Sequence, residues 1–203
     1  MIEFITEDAL KIWTEGGWLM GPLFILGLLI YYSIFEIYFR LSSKSYIKTD
    51  SNIWRHWVEK PADAQGDIGR IINFVLADKK TTQDVSLRFQ EVRHTLVESI
   101  GRRIKFVAII VSAAPLTGLL GTVGGMLTTF SGLSSSEGSN TVGLIAGGIS
   151  EALITTETGL VLAIPAIVVI STIRKKLDAL DLFLKKLENS INQHLLDAKR
   201  SQA

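Results

Sequence analysis

Cysteine is absent from the 203-residue sequence, which excludes disulfides, thiol chemistry and cysteine-based metal sites. Histidine is scarce: His56, His94 and His194 are far apart and lie outside the apolar segments, so no metal site is predicted. The apolar segments hold no aspartate either, and no G-x-S-x-G or Walker motif occurs, which disfavours an intramembrane enzyme. The formal net charge is only +1, which gives no electrostatic reason to expect nucleic-acid binding. We therefore predict no catalytic residue, no metal and no cofactor.

Charge is missing from long stretches of the chain. Residues 16–35 and 106–136 carry no charged side chain, and residues 138–173 carry only Glu151 and Glu157. About 20 apolar residues are enough for a helix to cross a bilayer. Charged residues nevertheless make up 20% of the chain and the mean hydropathy is +0.32, which indicates a sizeable aqueous part. The sequence predicts an all-α membrane protein with three transmembrane helices that extend into a cytoplasmic helical bundle.

The alternation of apolar and polar composition divides the chain into seven segments. Apolar residues at helical spacing continue beyond the third apolar segment with no glycine or proline, so the third span and the tail are predicted to form one helix. The predicted segments are an amphipathic N-terminal segment (1–17), a first span (18–39), a helical loop (40–105), a second span (106–130), a Gly- and Ser-rich loop (131–141), a third span (142–173) and a helical tail (174–203).

The distribution of Lys and Arg predicts the orientation of the spans. The segment before the first span has one such residue, the loop 40–105 has thirteen, the loop 131–141 has none and the tail has seven. Cytoplasmic loops carry an excess of Lys and Arg. The N-terminus and the short loop are therefore predicted outside, and the large loop and the tail are predicted in the cytoplasm.

Glu151 is the strongest candidate for a functional residue. A carboxylate inside a bilayer costs about 3 kcal/mol on insertion scales, and ionisable groups there are functional-site candidates by default. Thr155 lies four positions further on the same helix face, whereas Glu157 is rotated by about 120°. With Thr122 of the second span, this set could relay protons or coordinate Na⁺, which prefers oxygen ligands. Two other interpretations stay open: threonines that bond to their own helix carbonyls, and a permanently protonated Glu151 with a structural role.

Small residues and prolines in the spans predict how the helices pack. Gly121 and Gly125 form a small-xxx-small pair, which lets helix backbones approach closely in lipid. Pro115 should bend the second span, and Pro165 lies inside the third. Three spans cannot surround a wide polar stripe, so we predict a homo-oligomer whose polar faces converge on a central cavity.

Two blocks of sequence stand out in the second and third spans. They are Pro115-Leu116-Thr117-Gly118-Leu119-Leu120-Gly121-Thr122-Val123 with Met126, and Gly148-Ile149-Ser150-Glu151-Ala152-Leu153 followed by Thr156, Gly159-Leu160 and Ala163-Ile164-Pro165. Both blocks resemble the MotA/TolQ/ExbB proton-channel family, and within it most closely the ExbB proteins. The three-span pattern, the large loop and the long tail fit this family along essentially the whole chain.

The resemblance implies a subunit of the bacterial inner membrane. It implies a pentamer around the single spans of an ExbD-like partner, which uses an ion gradient, expected to be protons, to drive a TonB-like transducer of outer-membrane uptake. It also implies that Glu151, Thr122 and Thr156 line the channel. The chain departs from the family at Gly124, where Trp is frequent, and at Glu157, where a small apolar residue is usual. Glu157 could be a second proton site or part of a Na⁺ site.

Two alternatives to the ExbB-like role stay open. A TolQ-like subunit for envelope maintenance would share both sequence blocks. A structural membrane scaffold without transport would tolerate replacement of Glu151 by glutamine.

Overall fold

The computed structural model describes residues 12–42, 54, 56–58, 60–77, 81–135 and 141–200. All regular secondary structure in these ranges is helical. The elements are α1 (Met20–Ser42), a 3₁₀ turn (Pro61–Asp63), α2 (Gly66–Leu76), α3 (Thr82–Arg93), a π-helical turn (His94–Glu98), α4 (Ser99–Ser135) and α5 (Thr141–Arg200).

Three helical stretches are long and apolar enough to cross a membrane. They are Met20–Ser42, Thr82–Ser134 and Val142–Asp197, and their most apolar windows have mean hydropathies of 1.7, 2.0 and 2.1. A spanning segment must satisfy all its backbone hydrogen bonds internally, which a helix does. The described part of the chain is therefore all-helical, with three candidate spanning helices, as the charge-free segments predict.

The first spanning helix begins and ends later than predicted. It covers Met20–Ser42 rather than 18–39. The later start follows from Gly17, which adopts a left-handed backbone conformation with φ +65° and separates α1 from the helical turn 12–15. Pro22 falls in the first turn of α1, where the missing N–H does least harm. Most of the predicted amphipathic segment, residues 1–11, lies outside the described residues.

The predicted loop 131–141 is wrong for its first five residues, which continue α4 to Ser135. Glycine and serine lowered the predicted helicity, since glycine costs about 1 kcal/mol relative to alanine in a helix. Tertiary packing overrides that preference: a Cβ at Gly132 would lie 3.4 Å from Leu144 of the facing helix α5. The Ser134 hydroxyl also donates to the Ser131 carbonyl at 2.9 Å.

The third span and the tail form the single helix α5, as predicted. The helical stretch that leads into the second span begins at Thr82, with Thr81 as its N-cap accepting from the Asp84 N–H at 3.4 Å. This stretch contains the π-helical turn His94–Glu98, in which there is no glycine or proline. The Ser99 hydroxyl donates to a carbonyl in this turn, an interaction that distorts helices.

The described residues of 12–35, 106–135 and 141–170 form one compact unit, called here the spanning unit. Helices α4 and α5 pack closely in it through small residues, and Ala114, Ala163 and Ala166 are almost fully buried. Helix α1 packs on α5, where the Tyr31 hydroxyl donates to the Leu162 carbonyl at 3.3 Å. Small residues at helix interfaces are typical of membrane proteins, where close van der Waals contact drives association.

The remaining described residues, within 36–105 and 171–200, form a second unit, called here the polar unit. Its core is a layer of larger aliphatic and aromatic side chains, as expected where water drives burial. Phe89, Leu184 and Leu187 are fully buried, and the rings of Trp54 and Phe183 meet edge to face with centroids 6.0 Å apart.

Ion pairs in the polar unit tie charged helix faces together. Arg93 Nε donates to Asp181 Oδ1 at 2.9 Å, and Lys185 Nζ lies 2.8 Å from Asp181 Oδ2. Glu36, near the end of the first span, pairs with Arg103 at 2.6 Å. Desolvation raises the pKa of Asp181, but the Lys185 hydrogen bond and the charges of Arg93 and Lys185 outweigh it, so that the pKa is lowered overall.

We expect Asp181→Asn to lower the thermal midpoint at pH 7 but not in acid. Because the folded-state pKa is depressed, the carboxylate stabilises the fold above its unfolded pKa of about 3.9, and this contribution is lost as the pH falls through the folded pKa. The expected loss at neutral pH is about 1 kcal/mol, since the pair is partly exposed. Thermal unfolding in detergent at pH 7 and in acid tests this, with Asp178→Asn on the same helix as the control. An equal effect at both pH values would contradict it.

Candidate functional site

The two carboxylates of α5 lie in different surroundings. Glu151 is half-buried, whereas Glu157 is exposed. Six positions along a helix correspond to a rise of about 9 Å and a rotation of about 120°. Within one chain, helix geometry therefore separates the two carboxyls into different sites.

The carboxyl group of Glu151 lies against Gly17, in the turn before α1. A Cβ built on Gly17 would overlap Glu151 Oε1 and would lie 2.6 Å from Glu151 Cδ. Helix N-termini carry a partial positive charge that favours nearby carboxylates. The structure thus places Glu151 level with the beginning of α1 rather than with its middle.

Thr155 is fully buried between α4 and α5. A Cβ at Gly121 would overlap its Oγ1, so the two helices are in direct contact at this point. Its hydroxyl lies 3.1 Å from the Glu151 carbonyl and 3.0 Å from the Ala152 carbonyl, both of its own helix. In the single chain, Thr155 shares a helix face with Glu151 but bonds to backbone rather than facing an open cavity.

Thr156 of α5 and Thr122 of α4 lie on two facing helices, which together are called here the hairpin. The Thr156 hydroxyl donates across the interface to the Gly118 carbonyl of α4 at 3.0 Å. Thr122, one turn further along α4, donates to its own Leu119 carbonyl at 2.7 Å. Both threonines are half-buried, and in both the hydroxyl proton is engaged by a carbonyl while oxygen lone pairs remain to accept.

Glu157 lies in the middle of an exposed apolar face of α5. The large residues around it on this face are Leu153, Val161 and Ile164, which are 65%, 62% and 59% exposed. At positions −4, +4 and +7 they share its side of the helix. In a membrane such a face meets lipid or another protein chain, and a carboxylate is costly against lipid.

Glycines bring α4 and α5 into backbone contact on both sides of Thr155. A Cβ at Gly125 would lie 2.5 Å from the Gly148 carbonyl oxygen and 3.0 Å from Ala152 Cβ. Together with Gly121, this position leaves no room for a side chain. The sequence singled out Gly121 and Gly125, and the structure places both at the closest approach of the two helices.

Pro115 and Pro165 both lie inside continuous helices, α4 and α5 respectively. Pro115 is half-buried and Pro165 is exposed. Neither can donate the usual backbone hydrogen bond, so each leaves a carbonyl one turn earlier without its helical partner. The bend assigned to Pro115 stays a prediction.

Four glycines that matter to this geometry were given no packing role by sequence reasoning. The contact of Gly17 with Glu151 has no local signal, because it joins two distant parts of the chain. Three further glycines lie where α4 and α5 are in close contact, and their spacing from Gly121 and Thr155 could have predicted this. They are Gly118, Gly148 and Gly159. A Cβ at Gly118 would lie 2.8 Å from the Thr155 carbonyl, and one at Gly159 would lie 2.7 Å from the Ala114 carbonyl.

These features define a multi-pass helical membrane protein whose closely packed hairpin carries carboxyl and hydroxyl groups inside its apolar length. The chain belongs to the MotA/TolQ/ExbB proton channel family, whose family model matches residues 56–186.

Several curated bacterial proteins are similar to parts of the chain. The Tol-Pal system protein TolQ of Haemophilus influenzae is 38% identical over 85 residues, which are 42% of this chain and 37% of that protein. Biopolymer transport protein exbB1 of Vibrio cholerae is 36% identical over 91 residues, 44% of this chain and 38% of that protein. Putative biopolymer transport protein ExbB-like 2 of Helicobacter pylori is 40% identical over 88 residues, 43% of this chain and 58% of that protein. Each match thus spans less than two thirds of the relative's length.

Proposed function

We propose that this chain is the multi-span subunit of an ion-driven motor in the bacterial inner membrane. The observation that carries the proposal is the carboxyl of the half-buried Glu151 on α5. The sequence has no lysine, arginine or histidine between residues 106 and 173 that could neutralise it. A carboxyl group there can take up and release a proton or bind a cation. Membership of a proton channel family supports the same chemistry.

The proposed ion pathway runs past Glu151 and the half-buried hydroxyls of Thr156 and Thr122. The hydroxyl proton of Thr156 is held by the Gly118 carbonyl, so its oxygen is oriented to accept from a hydrated proton or to coordinate a cation. Thr155, buried between the helices, contributes by fixing the contact beside Glu151 rather than by lining the pathway. The proton is the proposed coupling ion.

Assembly completes the pathway in this proposal. The exposed apolar face around Glu157 is covered by neighbouring copies of the chain, in a pentamer by family resemblance, or by the single span of an ExbD-like partner. The N-terminus faces the periplasm, and the tail of α5 projects into the cytoplasm. A TonB-like transducer receives the work and energises outer-membrane uptake.

A TolQ-like role in envelope maintenance is the second candidate. It is favoured by the similarity to the Haemophilus influenzae protein named as a Tol-Pal system component. Relatives with either name match the chain at similar identity, so the similarity supports both roles equally.

Ion flux in liposomes tests the proposal. The protein would be reconstituted with its co-purified single-span partner, and flux would be followed first under a proton gradient and then under a sodium gradient. We expect flux under the proton gradient. Flux under sodium alone would overturn the proton assignment, and no flux under either gradient would favour a structural scaffold.

We expect Glu157→Ala to reduce ion flux several-fold in the same liposomes. Glu157 is the second carboxyl of the third span and is exposed in the single chain. In the proposed assembly its face meets another chain, where the carboxyl adds a second proton- or cation-binding group to the pathway. Leu153→Ala, on the same face one turn earlier, removes packing without removing charge and serves as the control. Unchanged flux in Glu157→Ala, with Leu153→Ala also unchanged, would reduce Glu157 to a structural group.

A further inference from the structure

The turn that precedes α1 is held by backbone hydrogen bonds on both sides. The Gly16 N–H donates to the Ile12 carbonyl at 2.9 Å, which closes the helical turn 12–15. The Met20 N–H donates to the Gly17 carbonyl at 3.3 Å, which begins α1. Between these bonds Gly17 has φ +65°, a conformation that glycine adopts without strain. The turn is therefore a built element of the spanning unit.

Glycine is required at position 17 for a second, independent reason. The place of its missing side chain is taken by the carboxyl end of Glu151, with Cδ 2.6 Å and Cγ 3.1 Å from an ideal Cβ. Because the Glu151 carboxyl packs directly against the backbone of Gly17, that backbone blocks access to one side of the carboxyl. Any larger residue at position 17 must push the carboxyl away.

The residues after Gly17 anchor the turn in the spanning unit. Leu19 and Met20 are buried, whereas Trp18 is 73% exposed, as expected for an indole at a membrane interface. The start of α1 also presents the positive end of its dipole near the carboxyl group. Position and electrostatics thus agree that the carboxyl is held at this turn.

We propose that the turn 16–19 positions the ion-pathway carboxyl, with Gly17 as the positioning residue. The turn holds Glu151 at the level where α1 begins and screens it from that side, so that the carboxyl exchanges its ion only on the side away from α1. Glu157, about 9 Å further along α5, lies deeper along the same helix. This inference rests on the proposed role of Glu151 in ion flow.

Carbodiimide labelling of Glu151 tests the positioning without requiring flux. An apolar carbodiimide adds to a protonated carboxyl within the membrane, and the product is located by fragment mass spectrometry. A Glu157→Gln background leaves Glu151 as the carboxyl of the third span that can react. We expect Gly17→Ala to change the labelling rate of Glu151 several-fold, because the added methyl displaces the carboxyl from the turn.

Two alanine variants provide matched controls. Gly66 has φ +70° with no atom within 4 Å of an added Cβ, so Gly66→Ala introduces the same backbone strain without a collision. Gly21, in α1, also has open space around it, so Gly21→Ala changes the same helix without touching Glu151. Both controls should label like the parent. A Gly17→Ala rate equal to the parent, or an equal change in either control, would overturn the proposal.

A second variant protects the test against misfolding and separates the two proposals. Glu151→Asp withdraws the carboxyl by one methylene without adding an atom to the turn, and combined with Gly17→Ala it should bring the labelling rate back toward that of the parent. If Gly17→Ala does not accumulate, Glu151→Asp alone should change the labelling rate, and an unchanged rate would overturn the positioning role. Altered labelling in Gly17→Ala, together with normal flux in Glu151→Gln, would support the positioning role of the turn and contradict the role of Glu151 in ion flow.

Discussion

Ion flux is expected to fall by about 100-fold when Glu151 is replaced by glutamine, the scale of losing a positioned proton-transfer group. Glutamine has nearly the same shape as glutamate, so the contact with Gly17 and the hairpin packing should survive. What disappears is the ability to bind and release a proton or to neutralise a cation. Loss of flux with an unchanged thermal midpoint would therefore assign the defect to chemistry rather than to folding.

Proton and sodium flux in liposomes, with the single-span partner present, measures this effect. Ser150→Ala is the matched control, because it changes a half-buried polar side chain at the adjacent position of α5 and leaves both carboxyls intact. Normal flux in Glu151→Gln would contradict the ion-pathway assignment and would favour the structural scaffold. Loss of flux in both variants would indicate that local packing, not the carboxyl, limits transport.

The spanning helices were predictable because few solutions exist for a charge-free segment of this length. Lipid offers no hydrogen bonds to the backbone, so runs such as 16–35 must become helices. The continuity of α5 from the third span to Arg200 was equally predictable, since no glycine or proline follows Pro165. Glu151 stood out by the energetic cost of burying its charge.

The surroundings of these residues were less predictable, because they depend on contacts between distant parts of the chain. Nothing local in the sequence shows that Gly17 has a positive φ or that Glu151 fills the space beside it. Helix periodicity placed Thr155 on the face of Glu151, but only the approach of Gly121 makes that threonine fully buried. The extra turn of α4 to Ser135 likewise depends on packing across the hairpin, against the helix preferences of glycine and serine.

The close approach of α4 and α5 gives the second large expected effect, a loss of stability on enlarging a glycine at the contact. Two glycines of the same helix test it, because only one of them lies at the contact. Gly121→Ala is expected to destabilise the protein by about 2 kcal/mol, within the range for overpacked sites. The reason is that the new Cβ would lie 2.5 Å from Thr155 Cβ, which cannot rotate away as the tip of a side chain could. Gly124→Ala, three residues further on the same helix, meets no atom within 4 Å.

The two substitutions gain the same helix preference, about 1 kcal/mol from glycine to alanine, so their difference isolates the contact. Thermal midpoints in detergent should fall for Gly121→Ala and hold or rise for Gly124→Ala. The facing helix offers an independent pair: Gly148→Ala would approach the Gly125 carbonyl to 2.8 Å, whereas Gly147→Ala meets open space. Equal midpoints within both pairs would mean that the two helices are not held at this distance. The close contact would then not fix the positions of Thr155 and Thr156. Opposite shifts in both pairs would establish that backbone contact across the hairpin fixes the hydroxyls beside Glu151.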